Sequence, residues 1–588
     1  MLTQKQFTVL AYLQANPNKS QRTIAHHTKL SLGTVNSALK ELETLKYVEN
    51  SGITPEGFEA LHPYKVENAI IMAAGLSSRF APISYEKPKG LLRVRGEVLI
   101  ERQIEQLREA GIHNITVVVG YKKEYFFYLE SKYGVSIVIN PEYATRNNHA
   151  SLMVVREHLG NTYICSSDDY FSVNPFEPYV YEAYYAAQFA EGHTDEWCLE
   201  TSARNRIKGV HIGGENSWYM LGHVYFDHAF SERFVRILED EYPRPETTDK
   251  LWEDLFLEHV DELSMVVRKY DAGIINEFDS LDELRGFDPH FIENVDTDIF
   301  DNIVNTLGCE KTEIRDVYPL KQGLTNLSCH FRIDSGEYVY RHPGVGTELL
   351  IDRQGERAAL LVAKELGLDN TFIAQDPEKG WKISHFIPNS KQLDPHDPEQ
   401  VATAMHMARN LHETTVKVER SFDFYEEAKR YESLLLEKGP IEIPGYWEMA
   451  EKVDKLEQYV KADNAPTCLC HNDFFALNFL IDQQGSYYLI DWEYAGMSDY
   501  ANDFGTFCVC CELSEEEIHN ALEAYFGRTP TLEETRHNLA HVQFAGWCWY
   551  LWSLFKEAEG DAVGEWLYIY YRYAARYLDS TIALYEQE

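Results

Sequence analysis

Positive charge is scarce in this sequence: 54 lysines and arginines stand against 94 aspartates and glutamates over 588 residues, a formal charge of −40. Such a surface repels nucleic acid, anionic membranes and anionic substrates except where a local patch overrides it. Cysteine is sparse too, with ten residues scattered along the chain, and that excludes a disulfide scaffold. Only Cys508 and Cys511 have CxxC spacing, with no second pair or histidine cluster beside them. Buried reduced thiols and no structural metal are therefore expected. No run of eighteen apolar residues is present, and the opening MLTQKQFTVLAYLQ lacks the charged-then-apolar pattern of a secretory signal. The expectation is a cytoplasmic protein without membrane insertion. The length argues for about three to five domains rather than one core.

The charge is unevenly spread. Residues 1–65 hold seven lysines and arginines against five acids, near +2, which leaves the remainder near −42. Phe7, Leu10 and Leu13 recur at helical spacing, Ser20 caps a helix over 21–28, and Ser31 caps another carrying Val35, Ala38, Leu39 and Leu42. Short extended pieces around Ser51-Gly52 predict a hairpin. This order of elements resembles a winged helix-turn-helix domain. The resemblance makes the helix after Ser31 the DNA reader, through Ser31, Thr34, Asn36 and Lys40. None is an arginine and the segment is nearly neutral, so packing or dimerisation competes with DNA binding.

Residues 66–295 open on a strand, Asn68-Ala-Ile-Ile-Met-Ala-Ala74, then Gly75-Leu-Ser77-Ser-Arg79-Phe and Pro88-Lys89-Gly90. A buried strand ending in a small-residue loop exposes backbone N–H groups, and Arg79 and Lys89 add cations for a triphosphate. Asp168 closes a later strand, and Glu277 and Asp279 form a further acidic cluster. Strand, AAGxSSRF and PKxLL together resemble the nucleotidyltransferase signature, within which Glu196-Trp197 and Leu221-Gly-His-Val-Tyr225 resemble the CTP:phosphocholine cytidylyltransferase branch. The resemblance implies catalysis by Arg79 and Lys89, and Mg²⁺ on Asp168 and Asp279. It places the nucleotide on Ala74, Gly75, Ser77, Asn148 and Ser151, and the quaternary ammonium against Trp197, Tyr225 and Glu277, since ring faces attract a cation that cannot donate hydrogen bonds.

Residues 300–588 carry His471-Asn-Asp473-Phe-Phe-Ala-Leu-Asn478 and, after an apolar strand, Ile490-Asp491-Trp-Glu493. This spacing resembles the choline kinase and aminoglycoside phosphotransferase family. There Asp473 would orient and deprotonate the attacking hydroxyl, while Asn478, Asp491 and Glu493 would hold Mg²⁺ on the ATP phosphates. Gly323, Thr325 and Asn326 resemble the phosphate loop, and Arg341 with Glu356 stands where protein kinases place a Lys–Glu pair. Trp549, Trp552 and Tyr571, on aromatic-rich helices, are the choline-pocket residues that the resemblance implies.

The fold class expected is multidomain α/β and α+β: a winged helix, a doubly wound nucleotidyltransferase domain and a bilobal protein-kinase-like domain. Joined, the two signatures imply a bifunctional enzyme that makes phosphocholine from choline and ATP, then CDP-choline and pyrophosphate from phosphocholine and CTP. A homo-oligomer is expected. Two other readings stay open. One is the same chemistry on ethanolamine, aminoethylphosphonate or a sugar phosphate, and the other is a DNA-binding regulator that senses choline or nucleotides.

Overall fold

The computed structural model divides by its internal contacts into two compact units, Met1–Pro319 and Leu320–Glu588. It describes all residues except 279, 296, 321–325, 345–351, 561–562 and 588, together with the side chain of Ser78. The sequence suggested three segments divided near 65 and 300. By contacts the N-terminal helices cluster with the middle segment, and the division falls at Pro319.

Three helices, Gln4–Ala15, Gln21–Thr28 and Leu32–Thr44, precede the hairpin Val48–Glu49 and Gly52–Ile53. The Ser20 and Ser31 hydroxyls accept from the Thr23 and Thr34 amides, giving both helices the starts read from the sequence. The first helix docks on the neighbouring domain. Phe7 packs against Tyr64 and Tyr181, and the Tyr181 hydroxyl donates to the Leu2 carbonyl at 3.2 Å. The helix Leu32–Thr44 keeps Asn36 and Lys40 exposed.

In the rest of this unit four strands run parallel in the order Thr162–Ser166, Asn68–Ala73, Ile115–Val119, Ser136–Ile139. The chain winds to one side from Asn68–Ala73 and returns on the other as Thr162–Ser166. Their carboxyl ends are therefore a topological switch point, where open α/β sheets bind ligands. Alternate residues feed two cores: Tyr163, Cys165 and Tyr225 join the helix Leu99–Glu109 on one face, while Ile164, Val224 and Phe226 join the helix His228–Glu241 on the other. An antiparallel group, His193–Thr201, Ile207–Glu215 and Trp218–Phe226, extends the sheet.

The second unit begins with antiparallel strands Asn326–Ile333, Gly336–Pro343, Lys382–His385 and Phe372–Gln375, with the helix Arg353–Glu365. A helical lobe follows, centred on the long helix Leu532–Glu559. Two short strand pairs carry its loops: Thr467–Cys470 with Gly496–Asp499, and Phe479–Ile481 with Tyr487–Leu489. Among the described residues no helix is long and apolar enough to cross a membrane.

Candidate active sites

At the switch point of the first unit lies a cavity of about 440 Å³ lined by Ala74, Gly75, Ser77, Arg79, Lys89, Asn148, Ser151, Asp168 and Glu277, all residues singled out in the sequence. The loop after the first strand turns through Ser77, whose φ of 52° is left-handed. Lys89 reaches Asp168 at 2.7 Å and lies over the Phe80 ring at 4.8 Å. This approach needs Gly90, since a Cβ there would sit 2.7 Å from the Ser167 hydroxyl. Asn148 lines the cavity and is anchored there: Oδ1 accepts from the Trp252 backbone at 2.7 Å and Nδ2 donates to Glu253 at 3.1 Å. It therefore braces the wall with one Nδ2 hydrogen and one Oδ1 lone pair. The Ser151 hydroxyl likewise accepts from Asn140.

The acids at this site fit a divalent cation. Asp169 is fully buried with neither carboxylate oxygen hydrogen-bonded among the described residues, and burial, followed by the charges of Glu277 and Asp168, pushes its pKa well above the carboxylate range. Lys89 and Arg79 are cations of the same cavity. Asp279 lies outside the described residues.

A second cavity of about 840 Å³ shares Arg79 and Glu277 with the first and differs from it in character. Asp195, Glu196, Glu277 and Glu283 line it together with Trp197, Tyr219, Phe278 and Phe287. Tyr225 is not among them. Its strand pairs it with Tyr163, and it lies fully buried against Tyr163 and Tyr184 in the core. Tyr219, six positions earlier on the same strand, is the cavity tyrosine, and burial and the charges of Glu196 and Glu277 raise its hydroxyl pKa. Between the two tyrosines the strand pairing slips, and Gly222 adopts φ 87° with Ile275 packed where a Cβ would be.

In the second unit, Asp473 and Asn478 meet at the end of the strand Thr467–Cys470, where Asn478 Nδ2 donates to Asp473 Oδ2 at 2.8 Å. Burial and the charge of Asp491 push Asp473 up to about 8, close to the proton affinity that a general base needs near neutral pH. Arg341 donates to Glu356 and to Asp491, the latter at 3.2 Å, and lies 4.0 Å from Glu493. Despite burial, Arg341 and Lys382 hold Glu356 down to about 2. Asn326 Nδ2 donates to Glu493 at 2.7 Å. Asp473, Asp491 and Glu493 thus crowd negative charge around one point, and Asp491 and Glu493 form with Asn478 an oxygen-rich set that suits Mg²⁺. Gly323 and Thr325 lie outside the described residues.

Trp549 and Trp552 are buried and meet edge to face at 6.0 Å, and Trp549 also packs on Tyr494, at 5.6 Å, and on Phe424. Tyr494 follows the acidic loop directly, so these rings abut the acids. Tyr571 does not join them. It is 41% exposed and packs on Tyr550. The preceding residue, Tyr570, stacks on Trp566, and its hydroxyl pKa is raised by burial and then by the charges of Cys510 and Asp473. Helical phase places 566 and 570 inward and 571 outward.

A family model described as a MobA-like NTP transferase domain matches residues 69–170, one described as a phosphotransferase enzyme family matches 316–537, and one described as a winged helix-turn-helix DNA-binding domain matches 2–49. Choline-phosphate cytidylyltransferase of Streptococcus pneumoniae is 35% identical over 217 residues, 37% of this chain and 95% of the relative. The chain belongs to the cytidylyltransferases of the MobA-like nucleotidyltransferase family. Beside the cytidylyltransferase domain it carries a phosphotransferase domain and a winged helix, and both larger parts are enzymatic. 2-Aminoethylphosphonate cytidylyltransferase of Lancefieldella rimae is 36% identical over 229 residues, 38% of this chain and 93% of the relative. The solved structure of choline kinase LicA from Streptococcus pneumoniae is 28% identical and covers 48% of this chain and 98% of its own, with a TM-score of 0.42.

Sequence reasoning missed Asp503, whose carboxylate accepts from the His471 amide at 2.9 Å and from the Asn472 amide at 2.6 Å and so fixes the loop that presents Asp473. Its signal was available: it is the one charged residue in the helix Ala501–Cys510, whose other residues are apolar apart from Asn502 and Thr506. Tyr219, Tyr494, Tyr570 and Lys382 were missed as well. Nothing distinguishes those rings from the other aromatics until register and helix phase are known.

Proposed function

We propose that the chain phosphorylates choline with ATP in its second unit and couples phosphocholine to CTP in its first, releasing CDP-choline and pyrophosphate. The observation that carries the cytidylyltransferase half is the division of charge between two joined cavities. Arg79 and Lys89 line the compartment that suits a triphosphate, while aromatic rings and carboxylates line the one that suits an organic cation. The shared Arg79 and Glu277 stand where the phosphate of the amine would meet the α-phosphate of CTP. Mg²⁺, when bound at the acids of either site, neutralises phosphate charge. The protein's own groups do the rest: Lys89 and Arg79 orient the triphosphate, and Asp473 accepts the proton of the choline hydroxyl. The helix Leu32–Thr44, on this reading, meets DNA through Asn36 and Lys40, because the hydroxyls of Ser31 and Thr34 are engaged with each other at the helix cap.

A second substrate reading, 2-aminoethylphosphonate in the first unit, is favoured by the four carboxylates of the cation cavity, which would accept N–H bonds that a trimethylammonium group cannot donate. The two readings separate experimentally. Trp197→Ala is expected to raise the KM for phosphocholine about 10- to 30-fold, the equivalent of about 1.5–2 kcal/mol of desolvated cation–π attraction, and to change that for aminoethylphosphonate far less. Equal losses for both substrates, measured by pyrophosphate release, would reject the aromatic basis of choline recognition.

A further inference from the structure

A cluster of metal-ligating side chains lies in the second unit, apart from the residues assigned to phosphoryl transfer. His537 and His541 stand one turn apart on the helix Leu532–Glu559, and Asp499 closes the strand Gly496–Asp499. One ligand atom from each lies within 4.8 Å of the other two. His537 Nε2 is 3.0 Å and His541 Nε2 3.6 Å from Asp499 Oδ1.

The hydrogen bonds behind these residues determine where the protons are. The Tyr494 carbonyl, which can only accept, takes a bond from Asn472 Nδ2 at 3.0 Å. Asn472 Oδ1 then accepts from Asn502 Nδ2 at 3.1 Å, which leaves Asn502 Oδ1 to accept from His541 Nδ1 at 2.9 Å. His541 therefore carries its proton on Nδ1, and Nε2 presents a lone pair. That Nε2 is buried and among the described residues has no hydrogen-bond partner, and what it faces is a carboxylate oxygen. Two acceptors confront each other with no proton between them. His537 is backed in the same way, its Nδ1 against Asp463 Oδ2 at 2.9 Å, and that oxygen also accepts from the Tyr585 hydroxyl at 2.6 Å.

We propose that Asp499, His537 and His541 bind a divalent transition metal of the zinc type through the carboxylate and both Nε2 atoms. Two ligands about 2.0–2.1 Å from one ion at near-tetrahedral angles stand about 3.3–3.4 Å apart, a value that the His537–Asp499 separation of 3.0 Å and the His541–Asp499 separation of 3.6 Å bracket. Acceptors behind each Nδ1 are the outer shell that metal-bound histidines use to fix tautomer and ring orientation. Two imidazoles and a carboxylate favour zinc over Mg²⁺, which takes oxygen ligands. A second cluster, His412, Cys468 and Cys470, also has ligand atoms within 4.8 Å of one another. His412 there has both nitrogens hydrogen-bonded, to Tyr525 and Asp503, as His537 has to Asp463 and Asp499, but that cluster holds no unpartnered nitrogen such as His541 Nε2. The metal at Asp499 would tie the helix bearing Trp549 and Trp552 to the strand paired with Thr467–Cys470, and so to the loop of Asp473.

The test uses the full chain. Zn²⁺ affinity is measured by competition with a chromogenic chelator, and Co²⁺ is used as a spectroscopic substitute. One equivalent of metal per chain is expected, with visible d–d bands of low-coordinate Co²⁺ and no thiolate-to-cobalt charge-transfer band. His541→Ala should weaken Zn²⁺ binding about 100-fold or more, and Asn502→Ala, which removes only the backing acceptor, about 10- to 100-fold. Failure of the wild-type chain to take up Zn²⁺, a thiolate charge-transfer band, or unchanged affinity in His541→Ala would each overturn the proposal. The wild-type Co²⁺ spectrum decides the matter even where a variant fails to fold.

Discussion

Asp473→Asn is expected to slow phosphorylation of choline about 10²- to 10⁴-fold, the usual worth of a positioned general base, while cytidylyl transfer to added phosphocholine proceeds at the wild-type rate. The substitution preserves shape and the partnership with Asn478, whose Nδ2 lies 2.8 Å from the Asp473 side chain. It removes the one property that burial and Asp491 confer, an affinity for a proton near pH 8. The loop itself should not move, because Asp503 holds the His471 and Asn472 amides independently of Asp473. Assays of the two half-reactions on one preparation, one following ADP and the other pyrophosphate, check this. Loss of both activities would mean that the functions are not divided between the units as described.

The converse substitution, Lys89→Met, should spare the kinase reaction and reduce cytidylyl transfer about 10²- to 10³-fold, as removal of a preorganised charge at a reacting phosphate does elsewhere. Lys89 is 8% exposed and pairs with Asp168. Its ammonium also opposes the mutual repulsion of Asp168, Asp169 and Glu277. Removing it thus withdraws a triphosphate ligand and leaves three acids with less compensation. The effect should therefore appear in kcat with CTP rather than in the KM of phosphocholine, whose cation occupies the other cavity. A change confined to that KM would place Lys89 in the wrong compartment.

The two signatures were legible because each is a short stretch in which spacing alone fixes geometry. Asp473 and Asn478 meet because the loop between their strands has one length, and Arg79 and Lys89 reach one cavity because both follow the first strand of a parallel sheet closely. The caps at Ser20 and Ser31 were equally local. What failed was phase. Tyr225 and Tyr219 share a strand, and only the irregular pairing around Gly222, set by a partner strand distant in sequence, sends one to the core and the other to the cavity. Tyr570 and Tyr571 differ by 100° around a helix whose inward face depends on its packing. His537 and His541 sit at the spacing of a metal-binding helix, but the Asp499, Asp463 and Asn502 that give the pair its meaning come from separate elements that no periodicity connects.

One chain, on this account, performs two consecutive reactions on one amine. This is tested most directly by incubating the full-length protein with choline labelled in its methyl groups, ATP, CTP and Mg²⁺, and following products by mass. The expected result is labelled phosphocholine that rises first and is consumed as labelled CDP-choline and an equal amount of pyrophosphate accumulate. Accumulation of phosphocholine with no CDP-choline in the presence of CTP would contradict it.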